Sequence, residues 1–232
     1  MADAARISDH FSPELWQALW LTLKLAGVTT FLLCFIGLAV AQWLNTTRFR
    51  AAIIIETVVS LPIVLPPTVI GFYLLVLMAP QHAPGSWWLQ LTGHSLTFSF
   101  IGLVIGSVIY CLPFAVQPFQ AALKAVPESC IEAAATAGAN PWRAFWRIRV
   151  PLARRGLAVG ATLVFAHTIG EFGVVLMLGG NIPGETKVAS IALYDEVQKL
   201  NYSQAHAFAL VLLVLSFALL LTMALLQRST RH

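Results

Sequence analysis

The sequence predicts an all-α polytopic membrane protein: five transmembrane helices in a single domain, with a short cytoplasmic helix between the third and the fourth. Three observations predict it. Hydrophobic residues make up 58% of the 232 and charged residues only 10%, with a mean hydropathy of +0.79, whereas a water-soluble domain carries about 25% charged residues to wet its surface. Five apolar runs are each long enough to cross the hydrocarbon, which takes about 20 residues. The basic residues gather in alternate connections between those runs, as the positive-inside rule requires.

The first run, Leu15–Leu44, follows a mostly polar start and is too long for the apolar core of a cleaved signal, so it is expected to stay as a signal anchor. Trp16, Trp20 and Trp43 near its ends fit interfacial belts. Lys24 lies about two turns in from its outer end and can snorkel outward or pair with Glu171.

The second run, Ala52–Ala79, holds Pro62, Pro66 and Pro67. Each removes a backbone donor and clashes with the preceding turn, so this span cannot be one regular helix. Broken helices at membrane depth are tolerated where protein or a water-filled cavity satisfies the freed backbone, and they often line substrate paths. A packing kink without substrate contact is the alternative. Glu56 near the inner end is placed to answer Arg48 or Arg50.

The third run, Leu96–Val116, leads into a long basic connection. Within it, Val126-Pro127-Glu128-Ser129 reads as a helix start, with proline and an acid in the first turn. Glu132 through Ala139-Asn140-Pro141 then gives an alanine-rich helix of about two turns stopped by Gly138. The short helix is placed at Glu132–Gly138, and Arg143–Pro151 is read as its return path to the membrane. The fourth run, Gly156–Leu178, contains His167 and Glu171, and the fifth, Ala205–Leu226, carries no charge beyond what His206 could bear. Gly170 and Gly173 flank Glu171 and permit close helix approach, which favours a packing role for that acid over a proton relay. Gly102/Gly106 and Gly156/Gly160 are further small-residue packing pairs.

Arg48, Arg50, Lys124, Arg143, Arg147, Arg149, Arg154, Arg155, Arg228 and Arg231 fall on one side; Arg6, Lys187 and Lys199 fall on the other. This places the N-terminus outside and the C-terminus in the cytoplasm. The net charge of +4 is therefore a membrane-topology signal and does not point to nucleic acid. Cys34, Cys111 and Cys130 are too few and scattered for a disulfide framework or a metal site, and no metal or other cofactor is expected. The stretch Gly179–Thr186 has the glycine spacing of a phosphate loop but carries Glu185 where lysine is required. With no nucleophile elbow or His-Glu-x-x-His motif either, the chain is not expected to be an enzyme.

The pattern Glu132-Ala133-Ala134, Gly138 and Ile148-Arg149-Val150-Pro151-Leu152 resembles the EAA loop of ABC-importer permeases. In that family a short helix docks into a groove on the ATPase, so the resemblance implies a coupling role for Glu132, Ala133, Ala134, Gly138 and Pro151. Two further stretches, Leu61–Phe72 and Gly170-Glu171-Phe172-Gly173 with Gly180–Thr186, resemble molybdate permease subunits, and the likeness covers nearly the whole chain. Tungstate and sulfate permeases show similar patterns. The resemblance implies translocation of molybdate or tungstate, with sulfate or thiosulfate as the alternative. It further implies a homodimer in the bacterial inner membrane, lipid around it, two copies of an ATPase subunit that hydrolyses the ATP, and a periplasmic oxyanion-binding protein. His167 stands where relatives often carry a permanently basic residue, and no soluble regulatory domain is expected after the last helix.

An importer must release its cargo, so hydroxyls and backbone donors suit the path better than a deep lysine or arginine site. Ser60, Thr68 and Thr168, with Pro62, Pro66 and Pro67, are the candidates for the path, although each hydroxyl could equally bond its own helix. A secondary transporter driven by an ion gradient is the rival class. It would call for internal repeats and paired buried carboxylates, where this sequence has one central carboxylate and no clear repeat.

Overall fold

The computed structural model describes residues 13–228 apart from 48 and 50. The positions of Arg6 and Arg231, and the pairing of Glu56 with Arg48 or Arg50, lie outside the described residues. Among those described, all regular structure is helical. In chain order the helices are α1 (Pro13–Thr46), α2 (Ala51–Val64), α3 (Pro67–Met78), α4 (Gly85–Thr92), α5 (Phe100–Lys124), α6 (Glu128–Thr136), α7 (Pro141–Gly170, including a π turn at Phe145–Arg149), α8 (Gly173–Gly179), α9 (Ala189–Gln198) and α10 (Tyr202–Arg228).

α1, α5 and α10 are each long and apolar enough to cross a membrane alone. The pairs α2–α3 and α7–α8 qualify as spans bent by 114° and 60°. Counting each bent pair once gives the five spans that hydropathy predicts.

The prolines account for the first bend. Pro62 sits inside α2, Pro66 lies in the break with extended backbone (ψ 133°), and Pro67 takes the first position of α3. At that position the missing N–H would have had no helical partner anyway.

α5 is the central post. It packs against α1, α7, α8 and α2, and its Leu103, Cys111, Ala115, Val116, Phe119 and Leu123 are almost wholly buried. Close helix approach depends on glycine at α7, where a Cβ on Gly156 would lie 2.6 Å from Ala122 Cβ and one on Gly160 2.7 Å from the Phe119 ring. α10 leans on α7 and α9 and leaves most of its length exposed.

Three expectations need correction. The third span starts at Phe100 rather than Leu96 and continues past Val116 to Lys124. The fourth begins at Pro141 rather than Gly156, so the return path Arg143–Pro151 is continuous with the span, as the first turns of α7. Pro151 is accommodated inside that helix because a π turn precedes it; the Val150 N–H reaches back to Phe145 O. The inserted turn relieves the ladder just where a proline would otherwise clash with it. The short helix placed at Glu132–Gly138 spans Glu128–Thr136, its start falling where the Val126-Pro127-Glu128-Ser129 signal puts it. Helices α4 and α9 lie in connections between the apolar runs.

α9 is tied down by charge. Lys187 Nζ lies 2.7 Å from Asp195 Oδ2, and Asn181 Nδ2 donates to the same oxygen at 2.6 Å. Lys199 Nζ and Asn201 Nδ2 both donate to Glu196, at 2.8 and 2.7 Å. Burial works to raise the Asp195 carboxyl, but the hydrogen bonds from Lys187 and Asn181 and the nearby lysine charge outweigh it and hold the group below its ordinary value. Glu196 is likewise held low, chiefly by the Lys199 hydrogen bond.

Candidate coupling and translocation sites

The candidate coupling segment is shaped by a C-cap on α6 and an N-cap on α7. α6 follows Pro127, with Glu128 in its first turn. It stops in a Schellman arrangement: Ala139 N–H donates to Ala134 O and Gly138 N–H to Ala135 O, both at 2.9 Å. Gly138 takes φ +81°, the left-handed conformation that this cap requires. Asn140 then caps α7, its Oδ1 accepting from Arg143 N–H at 2.8 Å, and Pro141 fills the first helical position. Two helices thus meet across a short corner with little slack.

Glu132, Ala133, Ala135, Thr136 and Gly138 are exposed, while Ala134 is buried against the body of the protein. A Cβ at Gly138 would meet nothing of this chain within 4 Å. The face carrying Glu132, Ala133 and Gly138 is therefore open to a partner that can approach the backbone closely. Behind it, Arg149 NH2 lies 2.7 Å from Glu128 Oε2 and joins the start of α6 to the π turn of α7. Pro151, two residues on, is exposed on α7.

The second site lies where the two bent spans touch. A Cβ on Gly173 would fall 2.7 Å from Pro67 Cβ and 3.2 Å from Thr68 N, so only glycine lets α8 sit against the start of α3. Beside this contact is a cavity of about 490 Å³ lined by Pro67, Thr68, Tyr110, His167, Glu171 and Phe172 among others. Glu171 is the residue at the α7–α8 break, and it is 4% exposed. Its Oε2 accepts from Ser107 Oγ on α5 at 2.8 Å, and its backbone carbonyl accepts from Ser190 Oγ on α9 at 2.7 Å. The other carboxylate oxygen and His167 Nε2 have no partner among the described residues. The His167 ring stacks on Phe114 with centroids 3.9 Å apart.

The path candidates therefore divide. Thr68 and Pro67 line the cavity with Glu171. Pro66 is exposed at the α2–α3 break beside them, and Pro62 is buried inside α2. Ser60 accepts from Gln117 Nε2 at 3.3 Å, and Thr168 donates to Val164 O at 2.9 Å within its own helix. Lys24 does not meet Glu171: its Nζ lies over the Phe100 ring, 4.5 Å from the centroid. Ser107, Tyr110 and Ser190 join the site unannounced. A lone serine in an apolar run is the one signal that could have raised Ser107, and nothing in the sequence ties it to Glu171.

Residues 33–232 match the family described as binding-protein-dependent transport system inner membrane component. The chain belongs to this family of transport permeases. Among relatives of this permease, the molybdenum transport system permease protein ModB of Azotobacter vinelandii is 50% identical over 88% of this chain and 90% of its own length. The sulfate transport system permease protein CysT of Escherichia coli (strain K12) is 31% identical over 93% of this chain and 78% of its own. The fold of the permease is also that of a bacterial ABC transporter involved in alginate import, with a TM-score of 0.76 at 20% identity, covering 95% of this chain and 83% of that one.

Proposed function

We propose that this chain is the membrane permease of an ATP-driven importer for molybdate, working as a homodimer with two copies of an ATPase subunit and a periplasmic oxyanion-binding protein. The observation that carries the cargo is the 50% identity to a molybdenum permease along nearly the whole chain, against 31% to a sulfate permease over a similar span. ATP hydrolysis belongs to the separate ATPase subunit.

The geometry supports a mechanical route between the two sites. α7 begins at the corner beside α6 and ends at Glu171, a rod about 45 Å long at 1.5 Å per residue. In this reading the ATPase holds the face of Glu132, Ala133 and Gly138, with Ala134 packed behind it against this chain, and its closure moves α6. The Arg149–Glu128 pair, just before Pro151, and the capped corner at Gly138–Pro141 pass that movement to α7, and the far end shifts the break against Pro67 and Thr68. Thr68 on the cavity wall is exposed, so a second copy of the chain would close the path. Ser60, Pro62, Pro66 and Thr168 take supporting places behind that wall, and Lys24 and Glu171 act in packing. The distribution of arginines supports an N-terminus outside and a cytoplasmic C-terminus.

The test is reconstitution of the permease with its ATPase and binding protein in proteoliposomes, measuring hydrolysis on addition of molybdate or sulfate. Stimulation by molybdate well above that by sulfate is expected; equal stimulation by the two anions would overturn the cargo.

A further inference from the structure

Tyr110, Phe114, Gln117, Ala121 and Lys124 recur at alternating spacings of four and three residues along α5, and therefore share one face of it. Exposure rises step by step along that face. Tyr110 is buried, Phe114 is half-buried, and Gln117, Ala121 and Lys124 are exposed. The face thus starts at the cavity beside Glu171 and opens toward the end of the molecule that carries α6.

The His167 ring covers the cavity end of this face, its centroid 3.9 Å from that of Phe114 and 5.3 Å from that of Tyr110. One turn beyond the stack, Gln117 Nε2 donates to Ser60 Oγ of α2 at 3.3 Å. Gln117 lies about 10 Å from the end of α5, inside the span. An exposed primary amide turned to acyl chains there would leave its second N–H and its carbonyl unmet, so the face borders water. The pair offers neutral donors. Glu56, one turn from Ser60 on α2, and Lys124 are both exposed toward the α6 end, and their opposite charges offset. Pro113 and Pro118 bracket the stretch, and each withdraws the N–H that the carbonyl four residues earlier would accept, so α5 can bend here.

We infer that this face is the exit of the translocation path, with the Phe114–His167 stack as its gate and the Ser60–Gln117 pair receiving the oxyanion that has passed it. Its cargo and its direction rest on the import reading above; the aqueous face itself does not. An amide N–H and a hydroxyl hold an anion firmly enough to draw it past the rings and weakly enough to let it leave.

The test uses the permease assembled with its ATPase and binding protein in proteoliposomes, with molybdate as the probe. Gln117→Glu keeps a hydrogen bond to Ser60, whose hydroxyl then donates, but sets a carboxylate against the anion. It should slow molybdate uptake by about tenfold or more, and Gln117→Leu should slow it less. A pair that only joins α5 to α2 predicts the reverse order, with glutamate the milder change. Phe114→Ala with His167→Ala should let preloaded molybdate leak out several-fold faster without ATP. Uptake by Gln117→Glu that equals or exceeds that of Gln117→Leu, or an unchanged leak, overturns the proposal. A reading independent of cargo comes from Gln117→Cys in lipid nanodiscs, with Cys34, Cys111 and Cys130 replaced by alanine. A membrane-impermeant, sulfonate-bearing thiol reagent should modify it; no modification sets Gln117 against lipid and overturns the exit. Modification without any stimulation of hydrolysis by molybdate leaves the exit standing and strikes the cargo reading alone.

Discussion

Ser107 on α5 donates a 2.8 Å hydrogen bond to Glu171 Oε2 at the break between α7 and α8. Both residues are almost completely buried. The bond fixes a carboxylate where the helical ladder of the fourth span is interrupted, and the carbonyl of the same residue receives Ser190 from α9. One residue thereby joins the central post, the bent span and the helix beyond it.

Ser107→Ala is expected to cost about 1–2 kcal/mol, because a buried acceptor loses its donor. Thermal unfolding in detergent should show it as a lowered Tm. Glu171→Ala should cost at least as much, and the double variant should cost less than the sum, since both changes remove one shared interaction. Strictly additive losses would mean that the bond contributes nothing.

At the contact of the two bent spans, Gly173→Val should force α8 off α3, because even a Cβ falls 2.7 Å from Pro67 Cβ. Overpacking of this kind costs about 1–3 kcal/mol. The ATPase should still co-purify with the variant, since α6 is untouched, while molybdate-stimulated hydrolysis should be lost. Normal stimulation would separate this contact from the transport path.

Gly138 offers a sharper test of docking. Its φ of +81° is one that asparagine tolerates with less strain than other side chains, though not as freely as glycine, and this chain leaves the space beside it open. Gly138→Asn should therefore insert and support uptake nearly as the unaltered protein does. Gly138→Trp should insert equally well but fail to retain the ATPase on affinity purification. Retention by the tryptophan variant would refute the docked face.

The Arg149–Glu128 pair has one well-exposed member, so its loss should change stability by less than about 1 kcal/mol. Coupling is the better readout. Glu128→Gln should leave the ATPase bound yet reduce molybdate-stimulated hydrolysis, and exchanging the two charges should recover part of it. Unchanged stimulation in Glu128→Gln would assign the pair a purely local role.

Acid should loosen the far side of the molecule first. Asp195 is held below its ordinary value, so its bonds to Lys187 and Asn181 contribute stability that is complete above the unfolded carboxyl value of about 4 and is lost as pH falls through the lower folded value. Hydrogen exchange at the amides of Thr186 and Lys187 should quicken in that acid range. Asp195→Asn should exchange faster at neutral pH and lose the acid step. An acid step that persists in Asp195→Asn would place its origin elsewhere.

Much of this was legible in the sequence, and the gaps share a cause. Hydropathy reports the solvent around a residue, so it found five spans and missed where helices continue beyond the hydrocarbon. The third span stays helical through Gln117, Pro118, Gln120 and Lys124 although its apolar run has ended. The fourth starts among arginines for the same reason. The prolines of the second span were readable because their effect is local, and Gly138 because a helix stop is local too. Ser107 and Ser190 were not, because their meaning depends on what the fold brings within 3 Å of them. For Lys24 the sequence left outward snorkelling and Glu171 both open; the side chain is exposed with its amine over the Phe100 ring, and the Glu171 alternative falls.

The π turn at Phe145–Arg149 also sets the angular phase of α7. One residue more than an α-helix needs is wound into that stretch, and each residue of an α-helix turns the following face by about 100°. The corner beside α6 and the membrane-embedded face carrying Gly156, Gly160 and His167 are thus clocked differently from a straight helix of the same sequence. Chimaeras of related permeases joined across this stretch must carry the same number of residues, or the two ends of the rod will point in incompatible directions.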